Sequence, residues 1–375
     1  MRRFFIINKK AFMEAQLNWI YILVVGTLIL VFFIVIAKKY MTNQEIKINA
    51  NILQQLDTTI LGASQAAKSA NKINIEDTAL TFECSCKGNN CQSNIEIGDS
   101  GIAKDTAFLP ITAFLPIFSP KKIEKSQLIT WTLDWNYPFK VSNLLYLTRD
   151  DVYYYFVADD DDKSKQFAKE LYGMMAETQF LNVEFLDNSA TSVIYPDNMY
   201  LLRFIYISED GKLPSWLDKI KEEKEARNID VLMLRPEPSG SFSFTKLKKN
   251  NKVVENIKEG DGSYYLDTPT LIGVIFSEDE LVYQCNLLKA FKRYQYVSSL
   301  YQFKAWQLKD DSSLSHCSVY YKTAYDYLGS DVNLGTTINV KIESDVAATV
   351  AAKQSLEDLN EEILLAPGGR CPRLY

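Results

Sequence analysis

The longest apolar run in the chain lies near its N-terminus. Leu17–Ala37 is almost wholly apolar, and no charged residue occurs between Ala15 and Ala37. About 20 apolar residues in a helix span the roughly 30 Å hydrocarbon core of a bilayer. A cleaved signal peptide has a shorter apolar region, of about 7–15 residues, and a small-residue cleavage site, whereas this run ends in Lys38–Lys39. We therefore predict a transmembrane helix at 17–37, preceded by a cytoplasmic N-terminus at 1–16.

Apolar residues continue at helical spacing beyond this run. They recur at intervals of 7, 3, 4, 3, 4 and 3 residues, at Ile46, Leu53, Leu56, Ile60, Ala63, Ala67 and Ala70. Such a heptad-like seam predicts an amphipathic helical stalk at 38–75. The seam packs either against the chain's own globular part or against a second copy in a coiled coil, so self-association through the stalk is one expectation.

Residues 76–150 show the alternation that is typical of strands. Leu80, Phe82 and Cys84 alternate before a Gly-Asn-Asn turn at 88–90, and Ile95 and Ile97 alternate after it, which predicts a cysteine-bearing hairpin. The tandem AFLPIT–AFLPIF at 107–118 contains prolines that exclude a regular helix or a central strand. Gln127–Trp135 and Lys140–Leu147 have the composition of two further strands.

From residue 151 to 276 the pattern predicts an α/β domain. Its core is a β-α-β-β-α-β series that suits either a ferredoxin-like split unit or a small Rossmann-like sheet. The series comprises strands at Val152–Ala158, Phe180–Leu186, Tyr200–Ile207 and Val231–Leu234 and helices at Lys163–Met175 and Pro214–Arg227. Further strands are predicted at Phe242–Phe244, Tyr264–Leu266 and Leu271–Phe276.

The C-terminal region, 277–375, is predicted to be helical. Helical patterns cover about 278–309, 314–328 and 345–365 and are followed by a Gly/Pro-containing tail. The expected fold class is therefore α+β: an N-terminal transmembrane helix extending into a long helix, a mixed β-sheet domain and C-terminal helices.

Charge and histidine content restrict the possible functions. The formal net charge is −6, from 41 basic and 47 acidic residues, and no basic face appears, which argues against nucleic-acid binding. His316 is the only histidine. A single imidazole excludes multi-histidine metal sites and leaves one candidate base for a catalytic triad. The sequence thus favours a non-enzymatic protein without a cofactor.

The six cysteines bear on both the compartment and the fold. They are Cys84, Cys86, Cys91, Cys285, Cys317 and Cys371. An even number in a chain expected to face outward predicts disulfides. A bridge across the hairpin turn is geometrically easy, a bridge between the helical segments that carry Cys285 and Cys317 is plausible, and Cys371 would tie down the C-terminal tail. Connectivity stays open, since six cysteines allow about fifteen pairings.

Two metal hypotheses stand beside the disulfide prediction. A zinc site would use Cys84, Cys86 and Cys91 with either His316 or Cys371, although the C-x-C-x4-C spacing is not a standard structural zinc pattern. The four carboxylates Asp159–Asp162 lie where a predicted strand ends and a helix begins, a common place to hold Mg²⁺ or Ca²⁺. The favoured interpretation is that these carboxylates cap the helix and offset its N-terminal dipole.

The distribution of basic residues predicts the orientation in the membrane. Arg2, Arg3, Lys9 and Lys10 precede the apolar run, while Lys38, Lys39 and Lys47 follow it. The positive-inside rule then places the N-terminus in the cytoplasm and the remainder of the chain outside.

The N-terminus also resembles a known signal. Lys9-Lys10-Ala11-Phe12-Met13-Glu14 before an apolar helix is similar to an archaeal class III, type IV pilin-like signal. The resemblance implies cleavage after Ala11, with Lys10 as the basic residue and Phe12 as the new N-terminus. The layout as a whole resembles uncharacterised archaeal membrane-anchored proteins, which implies no particular activity.

Taken together, these patterns predict a single-pass protein whose partner is the lipid bilayer and whose extracytoplasmic domain has a structural or interaction role, as in a pilin-like surface component. The alternative is a membrane-tethered enzyme or a divalent-metal-dependent binding domain that uses Asp159–Asp162.

Overall fold

A computed structural model shows a mixed α/β protein with an apolar N-terminal helix and several sheets. It describes residues 9–66, 68–75, 79–87, 90–97, 107–110, 115–124, 127–188, 200–209, 229–237, 241–247, 259–337, 343–366 and 371–375. The predicted helix at 214–227 and the first two residues of the predicted turn, 88–89, lie outside these residues.

The described residues form helices and strands with the following bounds. The helices are α1 (Lys9–Gln65), α2 (Asp162–Ala176), α3 (Thr268–Phe276), α4 (Glu280–Lys309), a 3₁₀-helix (Ser312–Cys317), α5 (Ser318–Thr337) and α6 (Glu343–Leu365). The strands are β1 (Ala70–Asn74), β2 (Ala79–Lys87), β3 (Asn90–Ile97), β4 (Ala107–Pro110), β5 (Ile117–Phe118), β6 (Lys122–Glu124), β7 (Gln127–Asn136), β8 (Lys140–Arg149), β9 (Val152–Ala158), β10 (Asn182–Leu186), β11 (Leu201–Ile207), β12 (Ile229–Leu234), β13 (Ser241–Leu247) and β14 (Glu259–Tyr264).

The N-terminal half of α1 stands apart from the rest of the protein. Within its 57 residues, Tyr21–Tyr40 has no part buried inside the protein. Among the described residues this is the one helical segment long and apolar enough to cross a membrane. By length and composition it fits either a membrane span or a signal sequence.

The C-terminal half of α1 packs onto the protein's own core. Leu56 and Ile60, both members of the predicted seam, are buried together with Ile52 against two sheets. The expectation that the seam packs on its own domain is therefore confirmed for these two positions, whereas the side chains of Ile46, Leu53, Ala63 and Ala67 lie outside the described residues.

The predicted stalk is longer than the helix that the structure contains. The helix ends at Gln65, and Ala70 begins β1, which pairs antiparallel with β7. Lys68 has a φ of 52°, a left-handed conformation that occurs commonly just after a helix. The prediction of a helix as far as residue 75 was therefore wrong, and Ala70 fits the heptad spacing although it lies in a strand.

We call the described residues from 51 onward the globular head. Its strands form three sheets, and helices pack on them. The first sheet has the order β1-β7-β8-β5, the hairpin sheet β4-β3-β2-β6 and the large sheet β10-β9-β11-β12-β13-β14. The predicted hairpin and the two strands around 127–149 are confirmed. The described residues of the proline-bearing repeat form the edge strands β4 and β5, in keeping with the missing N–H groups of Pro110 and Pro116.

The large sheet resolves one alternative that the sequence left open. Strands β10, β9, β11 and β12 are mutually parallel, β13 pairs antiparallel with β12, and β14 pairs antiparallel with β13. A ferredoxin-like unit requires antiparallel neighbours, so that interpretation was wrong and the Rossmann-like one agrees with the observed order. The chain order of the parallel strands reverses between β9 and β11.

Two predicted strands differ from the structure. Leu271–Phe276 belongs to helix α3, because the Asp267 side chain accepts from the Thr270 backbone N–H in a capping box and Pro269 occupies the first turn. All residues from Thr270 to Phe276 are buried, so the helix is apolar on every side and its sequence lacks the 3.6-residue period. The strand expected at Tyr264–Leu266 is β14, which ends at Tyr264.

Two helical glycines are expected to respond oppositely to alanine. A Cβ on Gly273 would lie 2.9 Å from the ring of Phe118, which is fully buried and packed against Tyr146 and Tyr283. We expect Gly273→Ala to lower the free energy of unfolding by about 1–2 kcal/mol. Gly173 in α2 has no atom within 4 Å of such a Cβ, and Gly173→Ala should raise it by about 0.5–1 kcal/mol. Urea titration of both variants tests this; two shifts of the same sign would contradict the packing described for α3.

Candidate functional site

The carboxylates singled out in the sequence lie at the edge of the large sheet where strand order reverses. Asp159 follows β9, and its backbone N–H donates to the Ile207 carbonyl at the end of β11, 2.9 Å away. Ligands bind at this position in many open α/β sheets. The location therefore agrees with the sequence prediction, and the question is what the four side chains contact.

Three of the four carboxylates have partners within the protein. Asp161 is the N-cap of α2 and accepts from the Ser164 backbone N–H at 2.7 Å. This hydrogen bond holds the pKa of Asp161 below its ordinary value. Asp159 accepts from the Tyr206 hydroxyl, and Asp160 forms a 3.2 Å ion pair with Lys165. The capping interpretation is confirmed for Asp161.

Capping makes a specific prediction for Asp161. We expect Asp161→Ala to lower the free energy of unfolding by about 1 kcal/mol at neutral pH, while Asp161→Asn, which can still cap, stays close to wild type. Asp160→Ala, whose side chain is exposed, serves as the matched control. Because the folded-state pKa of Asp161 is lowered, its ionised form contributes to the free energy of unfolding above the unfolded pKa, and that contribution disappears as pH falls through the folded pKa.

Were the cluster a metal site, 5 mM Mg²⁺ or Ca²⁺ would raise the melting temperature of the protein. Replacement of all four aspartates by asparagine would then remove that rise.

All six cysteines are paired in the structure. The bridges are Cys84–Cys285, Cys86–Cys91 and Cys317–Cys371. The expected bridge across the hairpin turn and the expected tie on the C-terminal tail are both present. The helix-to-helix bridge between Cys285 and Cys317 was wrong, because α4 directs Cys285 onto the hairpin sheet.

The hairpin register gathers several of these residues on one face. Cys86 lies opposite Cys91, and Cys84 lies opposite Ser93. Because side chains alternate along a strand, these four residues share the face that carries buried Phe82 and Ile95. Helix α4 packs on this face and brings Cys285 to it.

The two hairpin disulfides are in direct contact. Cys86 Sγ lies 3.3 Å from Cys285 Sγ, and the sulfurs of Cys86, Cys91 and Cys285 are all within 4.8 Å of one another. Both sulfurs of the 3.3 Å pair belong to disulfides, so neither carries a hydrogen and the contact is one of van der Waals packing. We call Cys84, Cys86, Cys91 and Cys285 the sulfur cluster.

A buried lysine and a serine adjoin the sulfur cluster. Lys289, one turn after Cys285, donates from Nζ to Ser93 Oγ at 2.8 Å, and the Ser93 hydroxyl donates to Cys84 Sγ at 3.2 Å. Lys289 is 1% exposed. Burial lowers its pKa to about 7. The lysine thus donates to the serine hydroxyl, and the serine hydroxyl donates to Cys84.

Sequence reasoning missed Ser93 and Lys289. Ser93 was missed because the turn predicted at 88–90 would place it opposite Ser85, whereas the structure pairs Lys87 with Asn90 and therefore Cys84 with Ser93. Lys289 gave a weak signal: it is a lone cation in the apolar stretch CNLLKAF of a helix, and nothing in the stretch identifies its partner. Trp131 and Trp135 are both buried, and Trp135 Nε1 donates to Asp267 Oδ2 at 2.9 Å.

The zinc hypothesis does not agree with the arrangement of the cysteines. Its proposed ligands fall into two separate groups, one at the hairpin and one where His316 and Cys371 adjoin Cys317. Zinc is bound by thiolates, and the sulfurs of all six cysteines are in disulfides.

Comparison with known proteins gives no further guide to the site. The chain matches no family model, no curated protein and no solved structure. Function is therefore inferred from the residues themselves.

Proposed function

We propose that the chain is a single-pass membrane protein that holds its head outside the cytoplasm in a non-enzymatic, structural or interaction role. The observation that carries the proposal is the combination of Tyr21–Tyr40, which is apolar and not buried inside the protein, with three disulfides in the head. The apolar segment requires an apolar environment to cover it, and the disulfides require an oxidising compartment.

The apolar segment supports a bilayer as the partner. The side chains described between Tyr21 and Tyr40 are almost all exposed, including Phe32 and Phe33 at 62% each. An apolar surface of this extent is unstable in water and needs lipid or protein to cover it. Lys38 and Lys39 follow the last apolar residues, where lysine side chains reach the headgroup region.

The disulfides support the extracytoplasmic side. Cytosolic thiols are kept reduced, whereas disulfides persist in secreted and surface proteins. Cys84–Cys285 and Cys317–Cys371 have sequence separations of 201 and 54, so they join parts of the head that are distant along the chain. The basic residues ahead of the span favour the same orientation.

The continuity of α1 supports a role in display. One helix runs from the apolar segment into the core of the head without interruption. Between Tyr40 and Ile52, the first residue of α1 whose side chain is described as buried, the rise is roughly 18 Å at about 1.5 Å per residue. The helix would therefore hold the head at a set distance from the bilayer surface.

The outer face of α4 favours an interaction role for the head. Tyr296, Leu300 and Phe303 are spaced by four and three residues and are 54%, 69% and 54% exposed. Residues with this spacing lie on one side of a helix. Aromatic side chains are enriched at protein interfaces, and the row gives the head a surface suited to contact with another protein.

Pilin-like assembly is a second candidate function. It is favoured by the two-part α1 helix, in which the first half protrudes and Leu56 and Ile60 in the second half pack on the sheets of the head. The class III signal resemblance at Lys10–Phe12 supplies the associated processing step.

The mature N-terminus and the membrane fraction together test these proposals. We expect alkaline carbonate to leave the protein in the membrane pellet and intact-mass analysis to find the apolar segment retained. A chain that begins at Met1 supports a simple anchor, and one that begins at Phe12 supports the pilin-like candidate. A soluble protein that begins beyond Ala37 would show that the segment is a cleaved signal and would remove both.

A further inference from the structure

The sulfur cluster contains an exchange path between its two bridges. We propose that Cys86–Cys91 and Cys84–Cys285 form one thiol–disulfide exchange site, which accepts electrons from an external dithiol at Cys86–Cys91 and passes them to Cys84. The inference rests on the 3.3 Å contact between Cys86 Sγ and Cys285 Sγ and does not depend on the proposed function.

The first step takes place at the outer end of the hairpin. Cys86 is exposed, whereas Cys91 and Cys285 are each 4% exposed, so Cys86 is the accessible sulfur of its bridge. One thiolate of the dithiol attacks Cys86 Sγ and releases Cys91 as a thiolate. The second thiol of the reagent then displaces Cys86, so the dithiol is oxidised to a disulfide and Cys86 and Cys91 are reduced.

The second step takes place inside the cluster. The Cys86 thiolate attacks Cys285 Sγ, a Cys86–Cys285 bond forms, the Cys84–Cys285 bond breaks and its electron pair leaves on Cys84. No external oxidant or reductant enters this step, and the number of disulfides stays the same. The covalent tie between α4 and the hairpin is kept, because it moves from Cys84 to Cys86.

The surroundings of Cys84 favour it as the leaving group. Ser93 Oγ donates to Cys84 Sγ, and Lys289 Nζ donates to Ser93 Oγ. A thiolate that accepts a hydrogen bond from a donor backed by an ammonium group is a better leaving group than an unsolvated one. Ser93 and Lys289 are thus positioning residues that bias the exchange toward a free Cys84.

The site is tested with the full-length Cys91→Ser variant, which leaves one unpaired sulfur in the cluster. After acid quenching and alkylation, peptide mapping should find both a Cys86–Cys285 linked peptide and alkylated Cys84. The matched control, Cys371→Ser, leaves Cys317 unpaired in the remote bridge, and there the label should stay on Cys317. Label confined to Cys86, with Cys84–Cys285 intact, would overturn the proposal.

Two further measurements keep the test decisive. Adding Lys289→Met to Cys91→Ser should lower the share of label on Cys84 several-fold, whereas a purely structural lysine would leave that share unchanged. If Cys91→Ser does not fold, wild-type protein is treated with substoichiometric dithiothreitol and quenched over time. The Cys86–Cys285 peptide should then appear while Cys317–Cys371 is intact, and alkylation of only Cys86 and Cys91 at every time would contradict the exchange.

Discussion

Replacing Arg203 with methionine is expected to lower the free energy of unfolding by about 3–5 kcal/mol. Arg203 lies on β11 and is 3% exposed. Its Nη1 donates to the carbonyls of Ile275 at 2.6 Å and Ser277 at 2.7 Å, and its Nη2 donates to Asp230 Oδ2 at 2.9 Å. Methionine fills much of the same space but leaves a largely buried carboxylate and two carbonyls without these donors, which accounts for the size of the loss.

The matched control for Arg203 is a solvent-exposed ion pair between α2 and the segment that follows β11. Lys163 and Glu209 are 3.1 Å apart, and their side chains are 55% and 54% exposed. Exposed pairs contribute about 0–1 kcal/mol, so Lys163→Met should change the urea midpoint little. Comparable losses for the two variants would contradict the view that Arg203 links the large sheet to the end of α3.

Removing the Cys84–Cys285 bridge should cost far more stability than removing its neighbour. In the chain-entropy model a disulfide that closes about 200 residues contributes roughly 5 kcal/mol, and one that closes about six residues contributes roughly 2 kcal/mol. The two bridges have sequence separations of 201 and 5. We therefore expect the Cys84→Ala/Cys285→Ala variant to be about 3 kcal/mol less stable than Cys86→Ala/Cys91→Ala.

Urea titration without reductant measures this difference. The two double variants remove the same number of sulfurs from the same cluster, so local packing losses are similar and loop length is the main variable. Equal free energies of unfolding for the two variants would show that the Cys84–Cys285 bridge does not reduce the entropy of the unfolded chain by more than the short bridge does.

Local sequence patterns predicted those parts of the fold that depend on neighbouring residues. The alternation in β2 and β3 and the spacing in α2 and α4 each follow from one buried face, whereas the apolar run of β9 follows from burial on both faces. The structure contains all of these elements. Helix α3 was missed because burial on every side erases the period that separates a helix from a strand. The direction of β10, β9, β11 and β12 depends on long-range pairing, which a pattern within one strand does not encode.

The candidate site, too, was predictable only where it depends on residues that are close together in the sequence. The turn predicted at 88–90 brings the cysteine-bearing ends of two strands together, so a bridge across it could be expected from the sequence. Pairing of Cys84 with Cys285 depends on the packing of α4 against a strand about 200 residues away, and the same packing brings Lys289 to Ser93. Asp161 was identified as a cap because capping is local.

Thiol labelling of intact cells most directly tests which side of the membrane holds the head. A membrane-impermeant maleimide should label none of the six cysteines in untreated cells, and it should label them after an impermeant phosphine reductant is added under denaturing conditions that leave the membrane sealed. That result would mean that the sulfurs are both oxidised and outside. Labelling without any reductant, and only after the cells are lysed, would place reduced thiols in the cytosol and contradict the account.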